Sequence, residues 1–145
     1  MSLLSALSVS ASGMAAQRVR SELLVENIAN SETTRTAEGG PYRRKDAVFS
    51  STPVPSAFSS LLDEQMGSSL MGVTVAGISV DGREPERRYM PGHPDADKDG
   101  YVAMPRMNPA EDMVDLMSAT RGYQANVSAI SSVKDMIQRS IDILR

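Results

Sequence analysis

The stretch Asp95-Ala96-Asp97-Lys98-Asp99-Gly100 puts carboxylates on alternate positions ahead of a glycine, which is the first half of a calcium-wrapping EF-hand loop. The second half does not follow. Counting from Asp95, the twelfth position should carry a bidentate glutamate and instead carries Arg106, while Pro94 and Pro105 oppose flanking helices. A polar turn around Gly100 accounts for the same residues without a metal. His93 could be imagined as a general base or a ligand, but it is the sole histidine and there is no cysteine to complete a common metal set. Between Gly92 and Pro94 it reads as a loop residue. The clusters Arg43-Arg44-Lys45 and Arg87-Arg88 are short and balanced by nearby acids, so they read as solvated strand ends. With 15 basic and 18 acidic residues and a net charge of -3, the chain offers no basic footprint for a duplex. The sequence thus calls for no catalytic residue, no metal and no cofactor, and for neither nucleic acid nor a small-molecule substrate as partner.

The elements that would carry these loops are helical at both ends of the chain. From Leu4, apolar and small residues recur at alternating spacings of three and four: Leu4, Leu7, Ala11, Met14, Arg18, Ser21, Val25 and Ile28. A longer seam of the same kind runs Leu116, Ala119, Tyr123, Asn126, Ile130, Val133, Ile137, Ser140 and Leu144. Asn108 is a good N-cap, Pro109 suits the first helical position, and Glu111 is placed to complete a capping box. The spacing predicts a helix from Pro109 to about Leu144, roughly 54 Å long at about 1.5 Å per residue. The expected fold is mainly α and elongated, with a heptad-patterned helix at each end and a small β-containing middle.

Residues 31–107 hold every proline but Pro109 and every aromatic but Tyr123, and helical periodicity is lost there. Tyr42 to Phe49 and Val73 to Val80 read as strands, with a bulge near Gly77 where the apolar alternation changes face. Asp81-Gly82 is an expected turn into a third strand over Arg87 to Met90. Residues 50–72, serine-rich with Pro53 and Pro55, read as a mobile linker or surface insertion. The organisation is therefore a core helix over 1–30, an irregular and β middle over 31–107, and a core helix over 108–145.

The seams are too polar for a solitary two-helix protein, because Arg18, Ser21, Asn126 and Ser140 occupy their positions. Apolar residues also lie off the seams, among them Leu3, Val9, Val19, Leu23 and Leu24 on the first helix and Met113, Met117, Ala129, Met136 and Ile143 on the second. Several apolar faces imply several packing partners, either the β element within one monomer or other molecules in an assembly through the terminal helices. The serine-interrupted N-terminus, with no basic residue ahead of its apolar stretch, does not read as a cleaved signal, and no stretch is long and apolar enough to be a membrane span.

Four stretches in order carry a resemblance: Asn27-Ile28-Ala29-Asn30-Ser31-Glu32-Thr33-Thr34; Gly39 to Lys45; His93-Pro94-Asp95-Ala96-Asp97 with Gly100-Tyr101-Val102; and Ser118 to Asn126. The chain resembles the bacterial flagellar rod and hook proteins over nearly its whole length, least well over 50–72. Asn27, Asn30, Thr33, His93, Pro94, Asp95, Asp97, Gly100 and Tyr101 stand at the family's motif positions. Arg106-Met107-Asn108 departs from the family's usual turn. Gly122 stands where alanine is common, weakening the helix by about 1 kcal/mol. The resemblance implies an antiparallel coiled-coil pair of the N- and C-terminal helices with a small β-containing middle element, forming an elongated subunit of a helical assembly. That subunit is a non-enzymatic part of the proximal rod of the flagellar basal body, exported by the flagellar type III apparatus and transmitting torque across the periplasm. It implies as partners further copies of the chain, other proximal rod subunits, the adjoining distal rod, and export-gate or basal-body components. The assembly interface expected from the seams comprises Leu4, Leu7, Met14, Val25, Ile28, Leu116, Tyr123, Asn126, Ile130, Val133, Ile137 and Leu144. The alternatives are another proximal rod subunit of the same family, or a calcium-binding module using residues 95–100.

Overall fold

A computed structural model describes residues 3–53 and 71–143. In order, its elements are α1 (Leu3–Ala29), β1 (Lys45–Pro53), β2 (Met71–Val80), β3 (Glu86–Tyr89), β4 (Tyr101–Met104) and α2 (Pro109–Ile143). Leu144 and most of the 50–72 stretch lie outside the described residues.

Helix α1 ends just before Asn30, whose N–H and side chain both reach the Glu26 carbonyl. The Asn30 amide Nδ2 donates to the Glu26 carbonyl at 2.9 Å, and Thr33 Oγ1 donates to Asn30 Oδ1 at 3.1 Å. Helix α2 starts at a proline after a capping asparagine. Asn108 Oδ1 accepts from the Ala110 N–H at 3.1 Å. The reciprocal arm expected of Glu111 is not among the hydrogen bonds of the described residues; Glu111 and Asp112 instead place negative charge in the first turn, where the helix dipole favours it.

The two helices pack along one another in opposite directions, since Gly13 faces Asn126, Gln17 faces Gly122 and Arg20 reaches Asp115 at 3.4 Å. Helix α1 also packs against both β1 and β2. On α2 the inward face follows the expected seam: Ala119 and Val133 are buried, and Leu116, Asn126, Ile130 and Ile137 are half-buried. On α1 the inward face is offset by one residue from the expected one. Ala16, Leu23, Leu24 and Asn27 are buried, whereas Val25 is 53 % exposed and Arg18 is paired on the surface with Glu22 at 2.9 Å. A side chain one position along a helix is rotated by about 100°, so this offset turns the seam from Val25 toward Leu24.

The middle forms separate two-stranded antiparallel hairpins, β1–β2 and β3–β4. In the first, Lys45 pairs Val80, Val48 pairs Gly77 and Phe49 pairs Val75, leaving Ala76 as the extra residue of a bulge beside Gly77, as the sequence pattern expects. Strand β1 differs from its expected span. Tyr42 precedes it, and Ser50 to Pro53 belong to it rather than to a linker. Asp81-Gly82 does not turn β2 into a partner strand; β3 pairs β4, with Tyr89 opposite Tyr101 and Glu86 opposite Met104. Strand β4, only four residues long, carries Val102, 1 % exposed, into the small core.

Candidate assembly interface

The polar stretch at the end of α1 is the pivot of the molecule. Asn27 is fully buried, and both ends of its amide are engaged: Nδ2 donates to the Lys45 carbonyl at 2.8 Å, while Oδ1 accepts from the Lys45 N–H at 3.0 Å and from the Tyr42 hydroxyl at 2.9 Å. Its side chain thus pairs with the first residue of β1 as a neighbouring strand would. Tyr42 is 7 % exposed, and its N–H donates to the Thr33 carbonyl at 3.0 Å. Burial, reinforced by the nearby charge of Glu26, pushes its phenol up to about 12. Lys45 extends over the Tyr42 ring, 5.6 Å from its centroid, and meets Glu26 at 2.6 Å.

Next to this clamp, Arg44 ties β1 to the start of α2. Its Nε and Nη2 donate to Asp112 Oδ1 at 3.0 and 2.8 Å, and its Nη1 donates to Asp46 Oδ2 at 2.6 Å. The hydrogen bonds that Arg44 donates to Asp112, partly opposed by burial, raise the Arg44 pKa above its ordinary value. Asp112 is 1 % exposed, and its Oδ2 is buried without a hydrogen-bond partner. Lone Asp112 would be costly to bury; beside Arg44 it becomes a cross-brace between the strand and the helix.

Motifs far apart in sequence meet on the other side. Thr34 Oγ1 donates to Asp95 Oδ2 at 2.8 Å across 61 residues, and Arg35 lies 3.8 Å from Asp95 Oδ1. The Asp95 N–H donates to His93 Nδ1 at 3.1 Å, which uses that nitrogen within the loop. Asp97 Oδ1 accepts from the N–H groups of Asp99 and Tyr101, both at 2.9 Å. Gly100 sits at φ +80°, where a β-carbon would come 2.9 Å from the Tyr89 ring, and Tyr89 and Tyr101 meet edge to face at 5.4 Å. The carboxylates that suggest an EF-hand therefore serve different partners. Asp95 holds the end of α1's exit loop, and Asp97 shapes the β3–β4 turn. Among the described residues no group of three or more His, Asp or Glu is placed to hold a metal ion.

The seam residues are unequally placed. Leu7, Met14 and Ile28 are half-buried beside the inward face of α1, and Tyr123 on α2 is 40 % exposed. At this level α2 turns Gly122 toward α1, so the tyrosine is pushed to the flank. Nothing is described of the Leu4 side chain. Outside the seam, α2 presents Met113, Val114, Met117, Val127, Met136 and Ile141 to solvent. What sequence reasoning missed is the Asn27–Tyr42–Lys45 clamp, the Arg44–Asp112 brace and the Gln17 contact. Their signal was thin: an amide on the polar side of a helix end, and an acid in a first turn that dipole arguments already explain. Among the described residues, no helix is long and apolar enough to cross a membrane.

Paired helices with uncovered apolar flanks offer surfaces for packing against other proteins, and comparison with known proteins shows the kind of protein this is. The family described as "Flagellar basal body rod FlgEFG protein C-terminal" matches residues 98–143, the end of the β3–β4 turn, β4 and α2. The chain is 42 % identical to the flagellar basal-body rod protein FlgC of Bacillus subtilis, over 94 % of this chain and 95 % of that protein. It is 40 % identical to that of Borreliella burgdorferi over 100 % of this chain and 99 % of the relative, and 35 % identical to that of Salmonella typhimurium over 99 % and 98 %. The chain belongs to the FlgC family of flagellar basal-body rod proteins.

Proposed function

We propose that the chain, as a structural rod subunit, builds the proximal rod of the flagellar basal body and transmits torque across the periplasm by helical packing. In this reading α1 and α2 form a coiled-coil unit whose uncovered flanks dock further copies of the chain, other proximal rod subunits, the adjoining distal rod and export-gate components. The flagellar type III apparatus exports it, and no step of catalysis is involved. The observation that carries the reading is the apolar flank of α2: Val114 is 65 % exposed, Met117 56 % and Met113 53 %, an arrangement that a monomer leaves in water and a packed tube covers. The loop carboxylates support the structural reading over a calcium module, because Asp95 and Asp97 are engaged with Thr34 and with backbone N–H groups.

A tagged copy should be recovered in purified basal bodies at the level of the rod, and its absence there would defeat the reading. Ile130→Asp, which places a charge in the half-buried seam, should be exported but not incorporated. Normal incorporation of that variant would sink the role given to the paired helices while leaving family membership untouched.

A further inference from the structure

Where α1 and α2 cross most closely, each helix offers the other a glycine and an amide. A β-carbon on Gly13 would lie 2.9 Å from Asn126 Nδ2 and 3.2 Å from its Cγ. A β-carbon on Gly122 would lie 3.3 Å from Gln17 Cδ. The spacing is the same on both helices, Gly13 to Gln17 and Gly122 to Asn126, one helical turn, and the helices are antiparallel, so the contacts are reciprocal. Asn126 Nδ2 is also tied to the Gly122 carbonyl at 3.0 Å, which holds that amide over Gly13. Gln17 Oε1 is buried in the crossing with no hydrogen-bond partner. Glycine in a helix interior lowers helix stability relative to alanine, so propensity does not account for either residue.

We propose that Gly13, Gln17, Gly122 and Asn126 form a register lock, fixing the one alignment of α1 on α2 in which the paired helices fit their neighbours. A slip of one turn would set Asn126 against Val9 or Gln17, neither of which leaves room for the amide. The polar atoms of the crossing then act as a single buried asparagine does in a coiled coil, trading stability for a unique alignment. The lock rests on the paired-helix reading for its role in assembly, but its geometry is a property of the single chain.

Thermal melting of the purified full chain, followed by circular dichroism, tests it through a mutant cycle. Gly13→Ala should melt lower than wild type, and Gly13→Ala combined with Asn126→Ala should recover most of that loss, because the second change removes the amide that the new methyl meets. Gly122→Ala should shift melting less, since the tip of Gln17 can yield by a few tenths of an ångström. A rise in melting temperature for Gly13→Ala, which helix propensity alone would give, overturns the lock; so does failure of Asn126→Ala to rescue it. In cells, Gly13→Ala should lower recovery of the tagged chain in basal bodies and the double variant should restore it. Absence of the wild-type chain from basal bodies would defeat the rod reading, whereas normal recovery of Gly13→Ala beside it would defeat the lock alone.

Discussion

The two ends of the helix pair are built on different principles. At the junction, where α1 leaves and α2 enters, Asn27, Tyr42, Arg44, Lys45 and Asp112 are joined by directional bonds, and Asn27 and Asp112 are buried. Toward the far end the described residues bury only Val133, while Leu3, Met136, Ile141 and Ile143 stand in water. Buried polar groups are costly unless satisfied, so a network with a partner at each of these buried side-chain atoms except Asp112 Oδ2 permits few alternative geometries. Exposed apolar groups are undirected and accept whatever covers them. The junction therefore fixes the shape of one subunit, and the far end is the part that, in the proposed rod, neighbouring subunits would cover.

The largest expected effect follows from breaking the junction at its centre. Asn27→Ala removes one buried and two part-buried hydrogen bonds and takes the amide partner from the Lys45 backbone and the Tyr42 hydroxyl, at a cost of about 3 kcal/mol or more. Chemical denaturation would show it as a lower midpoint with unchanged slope. A loss no greater than that of Asn30→Ala, whose bonds are local, would mean that the amide is only a helix stop.

Asp112→Ala should cost less, about 2 kcal/mol, because Arg44 keeps Asp46 and, at 3.9 Å, Asp115. Its buried Oδ2 has no partner to lose. If the loss matched that of Asn27→Ala, the Arg44 brace would rank with the clamp and the junction would have two centres.

Tyr42→Phe deletes one hydrogen bond, about 1 kcal/mol, and adds a pH test. The folded phenol titrates near 12, above its ordinary value of 10.0. The contribution of the neutral phenol is thus fully present below pH 10.0 and lost as pH rises through about 12. Alkaline melting curves of wild type should fall more steeply over that window than those of Tyr42→Phe, and parallel curves would contradict the burial of the hydroxyl.

The same contrast explains what the sequence could be made to reveal. Helix ends were legible because Asn108-Pro109 and Asn30 with Thr33 act on neighbouring backbone, and the α2 seam was legible because Ile130, Val133 and Ile137 repeat on one face. The α1 seam was legible only to within one residue. With Leu23, Leu24 and Val25 in succession, spacings of three and four can be threaded through Leu24 or Val25, and the true path passes through Gly13 and Gln17, which look nothing like core. The junction was hidden for another reason. Asn27 finds its partners at Tyr42 and Lys45, and Thr34 at Asp95, and no local pattern announces a bond between residues 15 to 61 positions apart. Strand β4 was missed because Tyr101 to Met104 gives too few residues for an alternation to stand out.

The smallest effect on folding should come from the exposed α2 flank proposed to dock neighbours. Val114 and Met117 are 65 % and 56 % exposed, so Val114→Ser with Met117→Ser removes little that the single chain buries, and stability should change by about 0.5 kcal/mol or less. Incorporation into basal bodies should nevertheless drop, because in the packed rod those side chains would meet a neighbouring helix and lose their contact with water. A variant that melts as wild type yet fails to assemble would separate the two regions by function, the junction serving the subunit and the flank serving the array. Normal assembly would instead mean that this flank faces solvent in the rod, and the docking surface would have to be sought among Val127, Met136 and Ile141 farther along the same helix.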